Sequence, residues 1–240
     1  MKRQNYILII SRKILLNDND IVPDSGEKII NIIHKTYTFV KDNIRWAITE
    51  HDLYEHIKNN LERKDLLVEN IFVGFNENTI DESYIPLPGH SKIIKREGWL
   101  SIVIDYKLEK EKITNKIAWI AKLGKKPENQ FENSYKQLIE LRNQSYIFIK
   151  NKISNGGLIE KSEIDDFINK KCKHISYENS VFQKDINVTK YQNGNISINF
   201  LVSLIINKIK LPVNIDFIIS KNELEVLNRF QKSILILNTH

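Results

Sequence analysis

Cysteine is almost missing from this sequence: Cys172 is the only one in 240 residues, which excludes an internal disulfide and any cysteine-based zinc site. Lys171 and Lys173 beside it would lower its pKa, but a reactive thiol also needs a general base, so an incidental cysteine is the simpler reading. Long apolar runs are lacking as well. Tyr6 to Ile10 and Ile14 to Leu16 are separated by Ser11, Arg12 and Lys13, so neither a signal h-region nor a membrane span fits there, and no later stretch reaches span length. A cytoplasmic protein is expected. No Gly-rich phosphate loop and no serine elbow appears. His51 and His56 sit five apart on an expected helix, about 140° from sharing a face, and make a poor metal pair.

What is present suits a globular domain. With 41% hydrophobic and 28% charged residues in 28.2 kDa, one large domain or two small ones can bury a core. The net charge of +6 is a weak signal for an acidic partner, because acidic residues interleave with the lysines, as in Lys107-Leu-Glu-Lys-Glu-Lys112. Trp46, Trp99 and Trp119 are read as packing residues before pocket residues.

The chain resembles itself. Tyr37-Thr-Phe-Val-Lys-Asp-Asn-Ile44 and Tyr146-Ile-Phe-Ile-Lys-Asn-Lys-Ile153 share Tyr, Phe, Lys and Ile at an offset of 109 residues. Ile48 to Ile57 then matches Ile159 to Ile168 at an offset of 111. Each copy reads as a long amphipathic helix, a short link and a shorter helix. Ile29, Ile30, Ile33, Tyr37, Val40 and Ile44 fall at helical spacing in the first, and Tyr135, Leu138, Leu141, Tyr146, Ile149 and Ile153 in the second, within a helix from about Gln130 to Ile153. Thr49 and Asp52 form a capping signal for the first short helix.

After each helix pair the period changes to that of strands. Leu67 to Phe75, Leu100 to Tyr106 and Ile117 to Ala121 are β-rich in the first half; Ile196 to Ile206, Leu211 to Ile219 and Ser233 to Leu237 play that part in the second. Helix pairs preceding antiparallel strands predict an α+β fold, with helices on one face of a curved sheet.

Short motifs in this order resemble the methionine aminopeptidase, prolidase and creatinase family. Arg96-Glu-Gly-Trp-Leu-Ser-Ile-Val-Ile-Asp105 is similar to that family's basic, acidic, Gly segment running into a strand that ends in Asp. Ala121-Lys-Leu-Gly-Lys125 is similar to the strand end and glycine that follow, and Ile215 to Phe230 to the final strand pair and its Glu-Val-Leu turn. The resemblance implies a pita-bread fold for residues 24–240, in two pseudo-symmetric halves of about 24–125 and 126–240. Residues 1–23 then form an N-terminal extension or edge strand, or support a homodimer.

The family holds two divalent cations with two Asp, one His and two Glu around a shared water. Carried over, the first Asp corresponds to Asp105, and the second falls on Lys116. The histidine strand has no counterpart; His174 lies nearby but out of register. The first Glu aligns near Phe200, the last with Ile215 or Asp216, and the substrate-facing histidine near Ser83. An ammonium beside Asp105 repels cations and replaces part of their charge.

The resemblance therefore implies a metallopeptidase-like pseudoenzyme with no metal and no cofactor, leaning away from catalysis, whose cleft binds a peptide, protein or small molecule. Ser83, Asp105, Lys116, His174, Phe200 and Asp216 are the cleft residues expected. The alternative is a repurposed metal-independent enzyme, for example a biosynthetic one, with Asp105 and Lys116 as the catalytic candidates. A third reading is a basic nucleic-acid or protein interaction module; neither nucleic acid nor membrane is the expected partner.

Overall fold

Amphipathic periodicity turns into two helix pairs, each followed by a three-stranded antiparallel meander. A computed structural model describes residues 24–62, 67–108, 113–173, 175, 180–191, 194–220, 223–227 and 231–239. The segment from Tyr6 to Leu16, His174 and the end of the Glu-Val-Leu turn at 228–230 lie outside the described residues.

The first half runs α1 (Asp24–Asn43), α2 (Glu50–Glu62), β1 (Leu67–Phe75), β2 (Gly98–Leu108) and β3 (Ile113–Leu123). The second runs α3 (Asn129–Ser154), α4 (Lys161–Cys172), β4 (Ser180–Lys190), β5 (Ile196–Ile206) and β6 (Ile209–Ser220), then the short β7 (Glu223–Val226) and β8 (Leu235–Leu237). The expected α+β class is what is found, with both sheets four-stranded, in the orders β1-β2-β3-β8 and β4-β5-β6-β7.

Two of the short helices begin on reciprocal caps. Thr49 N–H and Oγ1 both donate to Asp52 Oδ2, at 2.7 and 2.8 Å, and Asp52 N–H donates back to Thr49 Oγ1. Glu160 and Glu163 form the equivalent box ahead of α4.

Strand alternation sorts side chains into layers. The even residues Leu100, Ile102, Ile104 and Tyr106 of β2 and the odd residues Ile117, Trp119 and Ala121 of β3 pack with α1 and α2 in one core. Ile198, Phe200, Val202 and Leu204 of β5 and Leu211, Val213, Ile215 and Phe217 of β6 pack with α3 and α4 in another. All six apolar residues expected on the inner face of the first long helix are buried, the last of them, Ile44, in the 3-10 turn that follows α1, and so are all six on α3. Their mates on each strand point the other way, into a space between the sheets.

One expectation is corrected. Ser233 to Leu237 does not join the second half's sheet: β8 pairs in parallel with β3, Ala121 to Leu235 and Leu123 to Leu237, in the first half's sheet. Gly124, just after β3, has φ +83 and lies where any Cβ would be 2.9 Å from Arg96 O; its N–H donates to Leu237 O at 2.9 Å. The tryptophans divide. Trp99 and Trp119 are buried, as packing predicts, whereas Trp46 is 68% exposed.

No described helix is long and apolar enough to cross a membrane.

Candidate functional site: the cleft between the two sheets

The sheets meet along β3 and β6 without a backbone ladder; side-chain amides and a carboxylate of the second half cap the outer edge of β3 instead. Asn199 Nδ2 donates to Thr114 O at 2.9 Å, Lys116 N–H donates to Asp216 Oδ2, and Asn214 donates to Lys116 O while accepting Ala118 N–H at 3.0 Å. Further along, Gln231 accepts Ile120 N–H at 2.7 Å and donates to Ile120 O at 2.6 Å. These N–H and C=O groups of that edge thus meet side-chain amides shaped like a peptide group or, at Lys116 N–H, the Asp216 carboxylate. Arg142 of α3, fully buried, donates to Gln231 O at 3.1 Å and so braces this seam from the helix side.

The cleft face of β2 and β3 carries the pair singled out in the sequence. Asp105 and Lys116 are direct cross-strand partners. Lys116 Nζ lies 3.6 Å from Asp105 Oδ1 and 3.2 Å from Glu82 Oε2, and Lys210 Nζ lies 2.7 Å from Glu82 Oε1. The result is a chain of alternating charges, Asp105, Lys116, Glu82, Lys210. Burial pulls the Lys116 ammonium down, but Glu82 first and Asp105 next outweigh it, so its pKa stands above the ordinary lysine value. Burial likewise raises Glu82, and Lys116 and Lys210 together bring it below the usual carboxylate value. Asp105, farther from Lys116 than Glu82 is, stays above its usual value because burial outweighs the ammonium and the Asn70 hydrogen bond.

Asp216 is 1% exposed. Burial pushes its carboxyl up to about 7, against the Lys116 N–H, the Asn199 side chain, the Lys116 charge and the Phe200 N–H, all of which favour the ionised form. Of the two candidates for the last acidic position, Asp216 faces the cleft and Ile215 packs under the helices.

A cavity of about 160 Å³ is bordered by Asp105, Lys116, Asp185, Asn199, Phe200 and Asp216 among others. A second of about 510 Å³ adjoins it through Asp185 and Leu201 and is bordered by Glu82, Ser83 and Lys210. Four of the six expected residues, Asp105, Lys116, Phe200 and Asp216, thus border one space. Ser83 lies exposed on the rim of the other, held by Asp81 through its N–H at 2.9 Å and its hydroxyl at 2.5 Å. Phe200 borders the smaller cavity, yet its ring belongs to the core under α3. The next residue, Leu201, joins Phe72, Val103 and Ala118 in an apolar cluster on the cleft side, with Tyr84 against it. A shift of one residue along a strand exchanges its faces, which is why alignment alone misplaces this position.

Glu82 and Lys210 escaped the sequence reading, one in a loop and one just after a hairpin turn; the only signal was that Glu82 adjoins Ser83. The loop that carries Glu82 is fixed by Glu50 at the start of α2. Glu50 is wholly buried and accepts Phe75 N–H at 2.6 Å, Asn78 Nδ2 at 3.0 Å, Tyr84 OH at 2.7 Å and Lys92 N–H at 3.0 Å.

These donors do not fit a pair of divalent cations. Lys116 presents an ammonium where a bridging carboxylate is required, Asp216 is committed to a backbone N–H, and β5 offers Leu201. Among the described residues no group of three or more His, Cys, Asp or Glu is arranged to hold a metal ion. His51 is taken by Pro86 O at 3.0 Å and His56 stacks on Phe39, so they form no pair either.

No protein-family model matches the sequence, and no curated protein does. Solved structures do match in fold. The chain is similar to an X-Pro aminopeptidase from Thermotoga maritima (14% identity, TM-score 0.58, 90% of this chain and 65% of that one). It is also similar to prolidases from Thermococcus sibiricus (10%, 0.63, 89% and 60%) and Pyrococcus horikoshii (14%, 0.52, 90% and 65%). It spans about 60 to 65% of the length of these proteins. The chain therefore has the pita-bread fold, which it shares with these X-Pro aminopeptidase and prolidase structures.

Proposed function

We propose that the chain is a pseudoenzyme on a metallopeptidase scaffold, one that uses the cleft or its surroundings to bind a peptide, protein or small molecule. The observation that carries this reading is the Lys116 ammonium between Asp105 and Glu82, a fixed organic cation on the carboxylates that face the cleft. Such a charge opposes metal binding at short range and is itself stabilised by the acids it displaces metal from. The apolar cluster of Phe72, Val103, Ala118 and Leu201 fills part of the same space, which supports a role in binding over hydrolysis.

The shared order of helix, helix and three strands in the two halves supports descent by duplication, with residues 24–240 as one domain; a cytoplasmic location remains part of this proposal. The test is hydrolysis of X-Pro dipeptides and of longer peptides with Mn²⁺ or Co²⁺ present. No released N-terminal residue is expected, and metal-dependent release would end the proposal.

One observation favours the alternative of a repurposed metal-independent enzyme. Asp216, with a pKa near 7 in a cavity shared with Lys116 and Asp105, is a carboxyl able to exchange a proton at neutral pH. Mass spectrometry of small molecules that co-purify with the protein supplies substrates to try. Under this alternative Lys116→Met abolishes turnover, whereas under the binding reading it alters stability or affinity.

A further inference from the structure

Three of the four strands at sheet edges are blunted in the usual ways. β7 and β8 are short, four and three residues, and β1 breaks register between Val68 and Asn70, which twists its edge. The fourth, β4, is different. It is eleven residues long, pairs with β5 in unbroken register from Ser180–Ile206 to Lys190–Ile196, and ends the sheet order. Among the described residues no strand pairs with its outer side.

Lysines commonly guard such an edge, but here they are drawn off it. Lys184 Nζ reaches back to α4, 2.6 Å from Asp165 and 2.9 Å from Asn169 Oδ1, and Lys190 Nζ lies 2.7 Å from Glu160 at the start of that helix. The alternate residues face the cleft: Gln183 and Asp185 border the larger cavity, Asp185 and Asn187 the smaller. Asp185 stands at the wall the two share. It is exposed, accepts a hydrogen bond from Asn187 Nδ2 at 3.1 Å, and forms no salt bridge among the described residues, although its charge acts on Lys116 across the smaller cavity.

We infer that the outer edge of β4 is a docking rail for an extended, basic peptide segment, which adds as a further strand and places a lysine or arginine against Asp185 at the mouth of the cleft. The backbone edge supplies affinity, and the cleft-facing residues of β4 read alternate side chains of the segment. This rests on the reading of the cleft as a binding site and adds to it the mode and the class of ligand.

The test uses the full chain and an acetylated octapeptide, Val-Lys-Thr-Lys-Val-Lys-Thr-Val, with three controls: the same peptide with Glu for Lys, the same with alternate backbone nitrogens methylated, and the Asp185→Lys protein. Binding is read by fluorescence polarisation, and its place by hydrogen exchange of the amides from 181 to 189. The expected result is protection of those amides by the Lys peptide, at least tenfold weaker binding of the Glu and methylated peptides, and reversal of the Lys/Glu preference in Asp185→Lys. Absence of β4 protection at millimolar peptide, or equal binding of all three peptides, overturns the inference. So does protection of the same amides without peptide, which in a dimer means that a second copy occupies the edge and in a monomer that the chain's own residues do. Metal-dependent release of amino acids from the same octapeptide with a free N-terminus would instead overturn the pseudoenzyme reading and leave the rail standing.

Discussion

Lys116 stands directly across the β2–β3 pair from Asp105, and its ammonium is closer to Glu82, at 3.2 Å, than to Asp105, at 3.6 Å. The lysine thus answers a loop carboxylate first and its strand partner second. Removing it leaves two partly buried acids facing each other.

Lys116→Met is accordingly expected to lower stability at pH 7 by about 1–3 kcal/mol, since an uncompensated acid in a half-dry site costs more than the ion pair contributes. The loss should shrink toward pH 4, where Glu82 and Asp105 take up protons. Urea unfolding of both proteins at the two pH values measures it.

Asp216 gives a second pH signature, with the opposite slope to an ordinary ion-paired carboxylate. Its folded pKa, about 7, lies above the unfolded value of 3.8, so its contribution is fully present below pH 4 and is lost as pH rises to about 7. Asp216→Asn keeps an oxygen for the Lys116 N–H and removes the titration. Relative to wild type it should gain stability from pH 4 to 7.5, on the order of 1–4 kcal/mol, in denaturant titrations across that range.

The Glu50 hub holds the loop that delivers Glu82. Glu50→Ala leaves donors from Phe75, Asn78, Tyr84 and Lys92 without their acceptor and is expected to cost about 2–4 kcal/mol. Limited proteolysis should cut the segment between 80 and 92 faster than in wild type, and Glu50→Gln should fall between the two.

The side-chain seam predicts that Asn214→Leu, although similar in size and better suited to a core by hydrophobicity, destabilises by about 1–3 kcal/mol. It strips the partners from Lys116 O and Ala118 N–H. Hydrogen exchange at Ala118 should quicken before that of residues deeper in β2.

The helix pairs were legible in the sequence because each buries one face at helical spacing, and the strands at Leu67–Phe75 and Ile196–Ile206 because they are continuous β-rich apolar runs, buried on both faces along much of their length. β4 was not, because it packs only partly on either side and Lys184, Asp185 and Lys190 interrupt its apolar residues. β8 was seen as a strand but given to the wrong half, since a three-residue parallel pairing far along the chain leaves no local trace. At the site, Asp105 and Lys116 were found through the family resemblance, whereas Glu82 meets Lys116 and Lys210 only through the loop geometry that Glu50 imposes. Leu201, not the ring of Phe200, belongs to the cleft-side cluster, a distinction set by strand phase and invisible to an alignment with one residue of slack.

The central claim is that the ammonium of Lys116 takes the place of inorganic cations. Metal content is the direct measure: the purified protein is incubated with Mn²⁺, Co²⁺ or Zn²⁺, dialysed, and assayed by inductively coupled plasma mass spectrometry beside Lys116→Asp. The account predicts far less than one ion per wild-type chain and more metal retained by Lys116→Asp; two ions per wild-type chain would contradict it.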